Sequence, residues 1–118
     1  MRVKRGTVSR RKHNKLKKLA KGFRGRRKNV FSFVKNAVEK SLKYAYVGRK
    51  QNKRNMRSLW IVRINAAARL NDISYSQLIK GMNKANIAVD RRVLAQLAVE
   101  DATAFAAIAN QAKQALAA

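Results

Sequence analysis

The stretch VFSFVKNAVEKSLKYAYVGRKQNKRNMRSLWIVRINAAARL, residues 30–70, decides the fold. Val34, Ala37, Val38, Leu42 and Ala45 recur at three- and four-residue spacing, which draws one narrow apolar stripe along a helix. Between Gly48 and Ser58 the stripe vanishes, because Arg49, Lys50, Gln51, Asn52, Lys53, Arg54, Asn55 and Arg57 are polar in every direction. Trp60, Ile61, Ile64, Ala67 and Ala68 then restore an apolar face. The chain contains no Pro, so nothing forces a break, and Gly48 is the weakest point of the run. The spacing predicts a single helix over 30–70, roughly 60 Å long at about 1.5 Å per residue. A helix that is polar all round bridges solvent or rests on something other than a hydrophobic core.

Upstream, Met1-Arg-Val-Lys-Arg-Gly6 is too short and too charged to bury anything. Helix formers dominate from Ser9 to Ala20, with only Leu16, Leu19 and Ala20 apolar. Gly22-Phe-Arg-Gly25 brackets an aromatic and an arginine with glycines; it reads as an elbow between helices, or as a helix C-cap at Gly22. Downstream, Ser74-Tyr-Ser-Gln77 is a capping box opening a helix that carries Leu78, Ile79 and Met82. Asn86 stops it. Asp90 caps a helix presenting Val93, Leu94 and Leu97, and Asp101 caps the last, with Phe105, Ile108, Ala112 and Leu116. The expected fold is all-α: a long basic helical N-terminal extension over 1–58 and a small all-helical domain over 59–118.

Charge separates the two parts. The 118 residues carry 29 Lys+Arg against 5 Asp+Glu, a formal net charge of +24. Residues 1–58 hold 22 of the basic residues and one acid, Glu39; residues 59–118 hold seven and four. With no Cys, one His and five scattered acids, disulfides, thiolate zinc sites, Cys nucleophiles and paired-carboxylate chemistry have nothing to work with. No metal, cofactor, small-molecule substrate or catalytic residue is expected, and the chain reads as non-enzymatic. Met1 to Arg24 lacks the apolar core of a secretory signal, and the basic pattern outruns a transit peptide. No apolar run approaches the ~18 residues of a membrane span.

A segment so one-sided repels itself unless a polyanion neutralises it. The expected nucleic-acid contacts are Arg2, Lys4, Arg5, Arg10, Arg11, Lys12, Lys15, Lys17 and Lys18, then Lys21, Arg24, Arg26, Arg27 and Lys28. Lys43, Lys50, Arg54 and Arg57 follow near one stripe, with Arg49 and Lys53 alongside and Arg63 and Arg69 facing outward. His13 has no partner legible in the sequence and is read as a phosphate or ribose contact. Phe23, Phe31, Phe33, Tyr44 and Tyr46 can stack on unpaired bases, Phe23 and Tyr46 foremost; Phe31 or Phe33 alternatively staples a helix start, and Trp60 anchors the rod to the core. An arm unable to bury itself needs a folded polyanion with crevices, which favours RNA over duplex DNA; free of RNA the arm is expected to fray. A DNA-coating protein and a membrane-active cationic protein are the rival readings. The 48–58 segment has no apolar face for a membrane.

Lys53-Arg-Asn-Met-Arg57-Ser-Leu-Trp60-Ile-Val-Arg63-Ile-Asn65-Ala-Ala-Ala-Arg69 closely resembles the signature of the bacterial large-subunit ribosomal protein twenty family. The resemblance runs outward through Arg2-Val-Lys-Arg-Gly6, Ala20-Lys-Gly22-Phe-Arg-Gly25, Tyr44-Ala-Tyr46, Ile73-Ser-Tyr75-Ser and Asp90-Arg-Arg-Val-Leu-Ala95. It implies a protein that binds 23S ribosomal RNA directly, joins the large subunit early in assembly, and lies near neighbouring large-subunit proteins. Some members also repress their own messenger. The implied location is the cytoplasmic bacterial ribosome, with an organellar ribosome the alternative. One departure is Asp72, where the family pattern has Gly before Ile-Ser-Tyr; Asn71 is expected to take the left-handed turn instead.

Overall fold

The computed structural model describes residues 4–117, and six helices with no strand make up the architecture within them. They are α1 (Gly6–Leu19), α2 (Arg26–Asn29), α3 (Phe31–Leu70), α4 (Tyr75–Lys84), α5 (Arg91–Glu100) and α6 (Ala102–Ala117). α3 is 40 residues long and passes through Gly48 unbroken, so the anticipated weak point does not interrupt it. The chain divides into two compact units, Met1–Lys50 and Gln51–Ala118; the division falls inside α3, as does the change of charge after Ser58. None of the helices is long and apolar enough to cross a membrane among the described residues.

In the first unit α1 ends without a glycine cap. Ala20 closes it, its N–H reaching the carbonyls of Leu16 at 3.1 Å and Lys17 at 3.2 Å. The chain then turns through Gly22 (φ +86°) and Gly25 (φ +60°), left-handed positions that a Cβ would strain. This elbow folds Ala20 and Phe23 back onto α3, where Ala20, Val34 and Val38 form a small buried cluster flanked by Leu16 and Phe23. The apolar stripe is covered only that far: Leu42, expected to be part of the same buried face, is 58 % exposed, and Ala45 is exposed too. The reason is supply. α1 and the elbow offer three apolar side chains, enough for a turn and a half of α3.

The second unit holds the larger core. Ile64 and Ala68 of α3, Ile73 of the following turn, Leu78 and Met82 of α4, Leu94 and Ala95 of α5, and Phe105, Ala109 and Ala112 of α6 are buried together. Trp60 packs half-buried against this cluster. On α5 the buried pair is Leu94 and Ala95, whereas Val93, expected inward, is 46 % exposed. The turn after α3 corrects a second expectation: Asp72 itself takes φ +53°, and Asn71 instead ties back through its side-chain amide to the Ala67 carbonyl at 2.9 Å. A short polar side chain tolerates the left-handed region there.

The expected caps are formed. Ser74 Oγ accepts from the Gln77 N–H while the Gln77 side chain accepts from the Ser74 N–H at 3.2 Å. Asp90 accepts from the Val93 N–H at 2.8 Å. Asn86 (φ +53°) lies just past the end of α4. Asp101 Oδ1 accepts from the Thr103 hydroxyl at 2.6 Å and from the N–H groups of Ala104 and Thr103.

The Thr103 hydroxyl, then the Ala104 N–H, hold the Asp101 carboxyl below its ordinary value of 3.8. A carboxylate lowered on folding contributes stability that is complete above the ordinary value and is lost as pH falls through the lowered one. Thermal melts from neutral pH downward are therefore expected to show the wild type losing stability relative to Asp101→Asn below about pH 4. Parallel profiles for the two proteins refute the assignment.

Candidate nucleic-acid interface

The basic residues singled out by sequence are exposed throughout residues 4–69; Arg2 lies outside the described residues. α1 carries Arg10, Arg11, Lys12, Lys15, Lys17 and Lys18 and buries none of its own side chains. Lys17 and Lys18 sit in its last turn, where cations complement the helix dipole, but no acid offsets the dipole at its start. Lys21, Arg24 and Arg26 to Lys28 continue the surface around the elbow and α2. Residues 41–59 of α3 are exposed without exception. No charged or polar residue is buried among the described residues. These cations lie on exposed side chains of a helical scaffold.

The arrangement gathers some of these cations into grooves. In the first unit an open groove of about 920 Å³ has α3 as one wall, with Phe33, Asn36, Ala37, Lys40, Ser41 and Tyr44 at helical spacing. Phe23, Arg24 and Arg27, from the elbow and α2, form the other wall. Phe33 and Tyr44 are 50 % and 63 % exposed, and Lys40 Nζ lies 5.8 Å from the centre of the Tyr44 ring. Of this set the sequence marks Phe23, Arg24 and Arg27 as contacts and Phe33 and Tyr44 as further stacking aromatics, while Asn36, Ala37, Lys40 and Ser41 do not stand out. The missed signal is the placement of Asn36 and Lys40 between Phe33 and Tyr44 along one flank of α3, which ordinary amphipathic reading assigns to solvent.

In the second unit a groove of about 610 Å³ is lined by Lys53, Arg54, Met56, Arg57 and Trp60 of α3, with Asn52 at one end. Arg92 of α5 joins them. Arg92 was not foreseen as a contact, because Arg91-Arg92 reads simply as the start of a helix. The structure separates the pair: Arg91 is half-buried and donates through Nε to the Tyr75 hydroxyl at 3.0 Å, bracing α5 against α4, while Arg92 is exposed. Arg63 and Arg69 are exposed but line neither groove.

The aromatic and imidazole candidates sort differently from expectation. His13 does have a partner, for its ring stacks on Phe31 with centroids 3.8 Å apart and planes inclined by 29°. That contact pins α1 to the start of α3, a long-range role different from the local staple expected of Phe31 or Phe33. Phe23 is half-buried against the small cluster and offers one face to the first groove. Tyr46 is 55 % exposed, with Lys50 Nζ 4.6 Å from its ring centre, inside cation–π range. Among the described residues no group of His, Asp or Glu could hold a metal ion.

A surface of unburied, unneutralised cations interleaved with accessible aromatic faces can hold many phosphates and stack on bases. The family model for ribosomal protein L20 matches residues 2–108, nearly the whole chain, and this chain belongs to the ribosomal protein L20 family of structural, non-catalytic constituents of the large ribosomal subunit.

Proposed function

We propose that the chain binds 23S ribosomal RNA directly and promotes early large-subunit assembly by neutralising phosphates from several RNA segments at once. The observation that carries this reading is the exposure of the basic residues over 4–69 on a scaffold whose first half has almost no core of its own. Residues 1–58 act as an RNA-penetrating arm ordered by its ligand, and residues 59–118 as the folded anchor. Lys4, Arg5, Arg10, Arg11, Lys12, Lys15, Lys18, Lys21, Arg24 and Arg26 to Lys28 serve the arm, with Arg2 ahead of them. Lys43, Arg49, Lys50, Lys53, Arg54 and Arg57 serve the long helix, and Arg63 and Arg69 the anchor. His13, through its Phe31 stack, positions α1, and neighbouring large-subunit proteins complete the surroundings.

Direct competition at fixed salt tests the reading. A 23S fragment and a duplex DNA of equal phosphate count compete for the purified chain, and the RNA is expected to win by at least about tenfold, the specific excess that crevices and unpaired bases add over bare charge. Equal affinity favours a DNA-coating protein and sinks the proposal.

A further inference from the structure

We infer that the groove between the elbow and α3 is a subsite for one unpaired ribonucleotide, its base stacked on Phe33 and Tyr44 and its phosphates held by Arg24, Arg27 and Lys40. The inference rests on the RNA-binding reading above and adds a specific occupant to it. At about 920 Å³ and open to solvent, the groove is in the size range of small-ligand clefts, roughly 300–1,000 Å³. Its chemistry is divided as a nucleotide's is. Aromatic rings supply π-faces left exposed by the fold, and cations flank them on both walls.

The groove wall also carries polar groups suited to a base edge. Asn36 has both an amide donor and an acceptor, and Ser41 a hydroxyl, so an extruded base finds partners for its Watson–Crick edge. A paired helix cannot use this site, because its bases have both faces covered. Phosphate contacts alone explain the cations but leave Phe33 and Tyr44, each half or more exposed beside Lys40 and across from Arg24, without a role. An RNA strand with a flipped nucleotide accounts for both.

The test uses the full chain and two probes, an RNA hairpin with a short adenosine bulge and the same hairpin fully paired. The wild type is expected to prefer the bulged probe. Phe33→Ala and Tyr44→Ala are each expected to weaken the bulged complex about five- to hundredfold, the usual effect of removing one base-stacking ring, and to leave the paired complex within about twofold. Tyr44→Phe should retain the preference. Both rings are half or more exposed, so neither truncation empties a core; circular dichroism checks that helicity is kept. Equal losses on both probes, no loss on either, or a wild type without preference but with steep salt dependence overturns the nucleotide subsite alone. A wild type that binds neither probe, or binds without salt response, overturns the RNA reading with it.

Discussion

Raising potassium chloride from about 50 to 200 mM is expected to weaken binding of a 23S transcript by about three to five orders of magnitude. Each phosphate neutralised by Lys or Arg releases condensed counterion, so the logarithm of affinity falls linearly with the logarithm of salt. Ten contacts on paired RNA treated like B-DNA give a slope near −9, and unpaired segments somewhat less. Only part of the 29 Lys+Arg need engage for that. Replacing Arg10, Arg11, Lys12 and Lys15 together by Ala should flatten the slope by about 3–4, close to one per lost contact. α1 buries none of its side chains, so this variant removes charge without removing core. Lys80→Ala with Lys84→Ala, exposed on α4 and outside both grooves, is the control and should leave the slope unchanged. A flat salt profile, or a quadruple variant with the wild-type slope, contradicts the polyanion reading.

What the sequence shows plainly is what local chemistry decides. The long helix follows from uninterrupted helix formers and the absence of Pro, and its C-terminal end from the Asn71-Asp72 pair. Ser74, Asp90 and Asp101 are legible because a cap is a contact within three residues. Contacts between distant segments are not written locally. His13 meets Phe31 because the two glycines of the elbow reverse the chain, and nothing near His13 says so. Leu42 and Ala45 carry the right period for burial but no partner reaches them. Arg92 and the groove beside Phe33 and Tyr44 become visible only when α5 and the elbow are brought against α3. Charge marks which surface is basic; topology tells where that surface is concave.

Two glycine-to-alanine changes should move stability in opposite directions, and the larger effect is a loss. Gly81 of α4 faces α6 so closely that a Cβ there would lie 2.8 Å from the Ala112 carbonyl carbon and 2.9 Å from its Cα, with the carbonyl oxygen nearer still. Those atoms are backbone, so no rotamer change relieves the clash; α6 must move, carrying Phe105, Ala109 and Ala112 out of register with Leu78 and Met82. Overpacking of this kind costs about 1–3 kcal/mol, and more where backbone must shift, against about 1 kcal/mol gained from the helix preference of Ala over Gly. A small unit has little reserve, about 0.05–0.15 kcal/mol per residue. A net loss of about 2 kcal/mol at roughly 4–8 °C per kcal/mol lowers the melting temperature by about 10–15 °C. Gly48→Ala meets no atom within 4 Å in the interior of α3, where φ is ordinary, and should raise helicity at a gain of about 0.5–1 kcal/mol. Calorimetry on both variants decides the matter. A Gly81→Ala protein that melts with or above the wild type means that α4 and α6 do not pack as described, and that the core of the second unit is built differently.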